Sequence, residues 1–260
     1  MYLGALSIAD LFNIQVNILV PLTKRLLPIS FDEIHDTFIS RFFCYMNGYL
    51  VEVGLFLPVW IMVILATERF ISIMHPFQLN IFGTRKKAKK ILAVLVITIL
   101  TWSSYKFKTG GIETQSTFLK SSEKPCQEIK LPLLVNVSTL LWSIVPEILT
   151  LILNLFVIKK IKMTTNPHRK FYSTSRFKRI TQATRVVISL SIMFICLVSP
   201  TGILIILNIF LNKEQFDPSN FNMIASYMNL LIWRKIVLVL YETNLIISFP
   251  IYLLTMKTYK

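Results

Sequence analysis

Long apolar stretches alternate with short polar ones along this chain of 260 residues. A helix that crosses the hydrocarbon core of a bilayer needs about 20 mostly apolar residues. Stretches of this kind occur at about 1–23, 41–73, 89–105, 131–162, 178–211 and 226–256. The pattern therefore predicts an all-α membrane protein in which residues 1–260 form one transmembrane helical bundle.

The composition supports this prediction. Hydrophobic residues make up 54% of the chain and charged residues only 16%, and the mean hydropathy is +0.61. In a typical soluble domain, about a quarter of the residues are charged. The composition thus excludes an ordinary soluble protein.

The basic residues predict the orientation of the bundle. The Arg69 side of the apolar stretches holds 17 of the 28 basic residues, 14 of them in the stretches 85–90 and 159–185, whereas most acids lie at the opposite ends. Since short cytoplasmic loops are rich in Lys and Arg, the Arg69 side is expected to be cytoplasmic. The net charge of +15 does not indicate nucleic acid, because it is concentrated in two loops between apolar helices. Attraction to anionic membrane lipid explains it, and docking of an acidic cytoplasmic partner is an equal alternative.

One motif is unusual for a membrane helix. Glu68, Arg69 and Phe70 end the second apolar stretch, which has Cys44 near its other end and is followed by His75. Isolated charges in hydrocarbon are costly, so an acid–arginine pair at this place indicates a function. The arrangement resembles the third helix of rhodopsin-like (class A) G-protein-coupled receptors.

Further similarities follow in the order of that family. Asp10, within Leu6–Leu11, is similar to the acid of the family's second helix, and Trp102, Pro146 and Pro200 resemble residues of the fourth, fifth and sixth helices. The resemblance therefore implies a seven-helix bundle of which helices 2–7 are present, in a chain truncated before the first helix.

The resemblance also implies roles for particular residues. A disulfide is expected between Cys44 and Cys126; from the residues alone, a metal site is the rival interpretation, but the two cysteines lack ligand spacing. No metal or other cofactor is expected. The residues expected to couple to the G protein and to switch are Glu68, Arg69, Phe70, Pro200, Pro250 and Tyr252. An intramembrane polar site is expected at Asp10, Asn244 and Ser248.

Several positions depart from the family pattern. Val198 and Asn154 stand where the family has a tryptophan and a tyrosine, and Ser248 and Phe249 replace the Asn-Pro of the seventh helix. Invertebrate peptide receptors of the FMRFamide type carry Phe at that proline position, so the variant favours a peptide, or neuropeptide, ligand.

The remaining acids suggest a ligand pocket. Glu52 and Glu242 lie in the outer parts of their helices, and Tyr241, which directly precedes Glu242, is the third pocket candidate. Two carboxylates facing one cavity favour a cationic ligand such as an arginine-containing peptide. The alternative is that each acid is protonated or paired with Lys or Arg from a neighbouring loop.

Other classes of protein fit less well. The chain has no phosphate loop, zinc-protease motif or nucleophile elbow, so it is not expected to be an enzyme. A transporter or channel predicts internal repeats, which are not evident, and a non-signalling receptor fragment would share every motif. The sequence favours a multi-pass plasma-membrane receptor that passes an extracellular signal to a heterotrimeric G protein.

Overall fold

In a computed structural model, most of the described residues are helical. The structure describes the residues at 2–19, 38–74, 84–113, 124–128, 137–138, 140–164, 184, 186–200, 202–203, 232–233, 236–237, 239–241, 243–244 and 247. Within these ranges the long elements are helices, in agreement with the predicted all-α bundle. The helices are α1 (Tyr2–Ile14, continued by a π-helix at Gln15–Leu19), α2 (Phe38–Met74), α3 (Arg85–Ser103), α4 (Lys106–Thr109), α5 (Ile144–Thr164) and α6 (Val186–Pro200).

Three helical segments of the described residues are long and apolar enough to cross a membrane. They are Tyr2–Leu19, Tyr45–Met74 and Leu140–Met163, and Val186–Pro200 is a shorter apolar helix. The middle segment belongs to α2, whose 37 residues give it a length of roughly 55 Å. Helix α2 packs against α1, α3 and α5, so it is the central helix of the described bundle.

Helix α3 begins earlier than the hydropathy pattern predicts. Thr84 caps it by accepting a hydrogen bond from the Lys87 amide at 3.4 Å, and the basic run from Arg85 to Lys90 forms its first turns. Lys and Arg are good helix formers, and a threonine cap satisfies an amide that the first turn leaves open. The basic residues assigned above to a loop therefore lie on a helix, where all five are exposed.

Helix α5 buries several polar side chains, besides Val157, and exposes apolar ones. Its buried residues include Ser143, Thr150 and Asn154, the first lying at the turn just before it, while Leu151 and Leu155 are exposed. This is the reverse of a helix in a soluble protein, and it is typical of a helix that faces lipid on one side and polar partners on the other.

Two contacts establish how α2 and the α5 segment run. The Ser138 hydroxyl bonds to the Glu52 carboxylate, and the Phe70 and Phe156 rings meet edge to face with centroids 6.1 Å apart. Each pair is 86 residues apart in sequence. The two segments are therefore parallel and level with one another from Glu52 to Phe70.

A short antiparallel hairpin joins α4 to the residues before α5. Its strands are β1 (Gly110–Glu113) and β2 (Lys124–Glu128), with Gly110 paired to Glu128. Both strands contact α2. Cys126 is on β2 and Cys44 on α2, but both side chains lie outside the described residues, so their disulfide stays a prediction.

Candidate functional site

The acid–arginine pair lies close to the end of α2. An Arg69 guanidinium nitrogen is 3.6 Å from the nearer Glu68 carboxylate oxygen, and each side chain is 21% exposed. The Arg69 Nε is buried and has no hydrogen-bond partner among the described residues. Because arginine carries five donors in a fixed fork, Arg69 lies within ion-pair distance of Glu68 and keeps a donor for another acceptor.

Side chains on both sides fix the position of this pair. Ser72 donates to the Glu68 carbonyl at 2.7 Å, and Phe70 packs against Phe156 of α5. Asn154, two residues before that phenylalanine, is 5% exposed and its Nδ2 has no hydrogen-bond partner among the described residues. Since α2 and α5 are level here, two buried N–H donors from neighbouring helices lie at the same depth.

A second group of polar side chains joins α1 to the described helical residues 239–241. The Asn13 amide, which is fully buried, donates to the Tyr241 hydroxyl at 2.7 Å. Asn17, one turn further on, donates to the Asn13 side-chain oxygen. The Tyr241 ring meets Trp142 edge to face at 6.1 Å. The predicted pocket residue Tyr241 is thus 5% exposed and hydrogen-bonded within the protein.

Comparison of the chain with models of known protein families agrees with this architecture. The chain matches the family model "7 transmembrane receptor (rhodopsin family)" over residues 1–238. The chain belongs to the rhodopsin family of seven-transmembrane receptors. No curated protein matches the chain. Family membership gives the protein a role in signalling as a multi-pass membrane receptor, with an extracellular ligand and a G protein as its classes of partner; members are receptors rather than enzymes.

The described residues include only part of the receptor's predicted site. Asp10 and Asn244 are both 6% exposed, and Pro200 is the last residue of α6. Val198, at the family's tryptophan position, is fully buried in the core. Glu242, Ser248, Pro250 and Tyr252 lie outside the described residues.

Glu52 is buried and already has partners in this receptor. Its Oε1 accepts hydrogen bonds from the Tyr105 hydroxyl at 2.8 Å and from Ser138. Its Oε2 is 3.4 Å from the Lys106 Nζ. Of the two interpretations made from the sequence, the described geometry is that of the paired acid.

The sequence did not predict these partners of Glu52. Tyr105 and Lys106 come shortly after the end of α3 at Ser103, and Ser138 precedes α5. None of the motifs that resemble the family includes these three residues. Asn13 and Asn17 carried a weak signal, because two polar residues one turn apart in an apolar helix indicate a polar contact.

Proposed function

We propose that this receptor binds a peptide outside the cell and responds by opening its Arg69 end to a heterotrimeric G protein. The observation that carries the proposal is the Arg69 side chain, which is 21% exposed, lies 3.6 Å from Glu68 and has a buried Nε that is unpartnered among the described residues. A ligand that favours an alternative packing of the helices shifts the equilibrium towards a state in which this arginine meets its partner.

The direction of the helices supports this scheme. The Arg69 end is taken as cytoplasmic, because Arg85–Lys90 and the exposed Lys159, Lys160 and Lys162 of α5 all belong to the ends next to it. Pro146, in the first turn of α5, cannot donate a backbone hydrogen bond, and a turn at Ser143 interrupts the helix just before it. Such an interruption is a natural place for α5 to bend.

The nature of the ligand is inferred from chemistry and resemblance together. Phe249 and Ser248 favour the invertebrate neuropeptide receptors, and the carboxylates of Glu52 and Glu242 favour a cationic group on the ligand. A disulfide from Cys44 to Cys126 would hold β2 over α2 at the side where the ligand enters.

The coupling can be tested without knowing the ligand. The purified receptor is reconstituted with a panel of heterotrimeric G proteins, and basal nucleotide exchange is measured. Glu68 is the acid that holds Arg69, so Glu68→Gln is expected to raise exchange and Arg69→Ala to abolish it. Thr98→Ala is the control, since it changes an exposed side chain of α3 thirteen residues after Arg85, away from the basic residues next to the Arg69 end.

Two results would contradict the proposal. Exchange that survives Arg69→Ala would show that the arginine does not couple. The absence of exchange in both the natural protein and Glu68→Gln, for every G protein tested, would favour a non-signalling receptor.

A further inference from the structure

The surroundings of Lys106 have the composition of a cation-binding site. Its Nζ lies 3.4 Å from the Glu52 carboxylate and 5.3 Å from the centre of the Tyr105 ring. The Lys106 and Glu52 side chains are 12% and 7% exposed. A carboxylate and an aromatic face are the two groups that bind cations best in partly dry surroundings.

The carboxylate is positioned independently of the lysine. Tyr105 and Ser138 both donate to Oε1, whereas Lys106 approaches Oε2. Two separate segments, one at Tyr105 and Lys106 and the other at Ser138, therefore meet at Glu52, which lies on α2. Removal of the ammonium group would leave Oε1 with its two hydrogen bonds and Oε2 ready to accept another cation.

The lysine contact is a loose one. Charge-assisted N–H···O bonds are about 2.7–2.9 Å long, so 3.4 Å leaves the Lys106 pair short of its best geometry. Lysine is also a point charge on a flexible stem, whereas a guanidinium presents a rigid planar fork that stacks on aromatic rings. A guanidinium from outside could therefore replace the ammonium group with a gain in hydrogen bonding.

We propose that Lys106 occupies the place of the ligand's cationic group, a guanidinium above all, and that ligand binding exchanges one cation for the other at Glu52 and Tyr105. The inference rests on the proposed peptide-receptor function and specifies its binding site. Lys106 is the first residue of α4, which leads directly into β1. Displacement of Lys106 would thus be transmitted to the hairpin that contacts α2.

The test uses L-argininamide as the probe and the purified receptor in lipid nanodiscs, with affinity measured by saturation-transfer NMR. If the internal cation fills the site nine-tenths of the time, Lys106→Met should tighten binding by about tenfold. Lys106→Arg should weaken binding below that of the natural protein, because an internal guanidinium competes better. Lys108→Met removes the same charge two residues away and should leave the affinity unchanged.

Adding Glu52→Gln to Lys106→Met should abolish the gain. An affinity that does not rise in Lys106→Met, or a gain that survives Glu52→Gln, overturns the proposal. If Lys106→Met does not give a folded protein by its melting curve, the opposite shift in Lys106→Arg decides. Because this assay contains no G protein, it separates a failure of cation exchange from a failure of coupling.

Discussion

The hydrogen bond between Asn13 and Tyr241 is expected to stabilise the receptor measurably. It is 2.7 Å long and joins residues 228 positions apart. Tyr241→Phe keeps the ring and its edge-to-face contact with Trp142 but removes the acceptor of the Asn13 amide. Since Asn13 is fully buried, the amide hydrogen would be left without a partner.

The size of the effect follows from the membrane setting. An unsatisfied buried donor costs about 1–3 kcal/mol in soluble proteins. Hydrogen bonds between membrane helices average about 0.6 kcal/mol and reach about 1.7 kcal/mol, because the unfolded chain in the membrane finds other partners. The short distance and complete burial place this bond in the upper half of that range, at about 1–1.7 kcal/mol.

A double-mutant cycle isolates this term. Asn13→Leu, Tyr241→Phe and the double variant are unfolded in mixed micelles by an increasing fraction of dodecyl sulfate, and tryptophan fluorescence reports the transition. Tyr49→Phe is the matched control, since its hydroxyl donates a hydrogen bond of 3.3 Å to the Leu100 carbonyl at an exposed position, and it should change stability little. A coupling energy below about 0.3 kcal/mol, which is additive behaviour, would refute the reasoning.

Three further predictions concern packing, covalent structure and orientation. A Cβ at Gly54 would lie 3.2 Å from the side-chain nitrogen of Asn17, whereas a Cβ at Gly48 would meet nothing within 4 Å. Gly54→Val should therefore destabilise the receptor by about 1–3 kcal/mol in the same unfolding assay. An equal loss of stability on substituting Gly48 by Val would contradict this prediction. Peptide mapping without reduction should recover Cys44 linked to Cys126, and alkylation of both in the native protein would exclude the bond. A cysteine introduced at Lys86 should react with an impermeant maleimide only after cells are permeabilised, and labelling of intact cells would reverse the proposed orientation.

The sequence determined the local features of this receptor. Hydropathy predicted helices in the apolar stretches, because a span of about 20 apolar residues has few alternatives in a bilayer. The cost of an intramembrane charge marked Glu68 and Arg69, and their order with Asp10 and Pro146 gave the family. These inferences use only neighbouring residues and their spacing along the chain.

The tertiary structure decided which distant groups meet. Glu52 was a candidate for binding a cation, yet its partners Tyr105 and Ser138 lie 53 and 86 residues away, and Lys106 takes the cation's place. Asn13 likewise finds Tyr241 across the bundle. The residues on one face of a helix do not identify the helix that packs against it, because that pairing depends on how all the helices pack together. The same limit explains why the sequence left the paired and unpaired forms of Glu52 open.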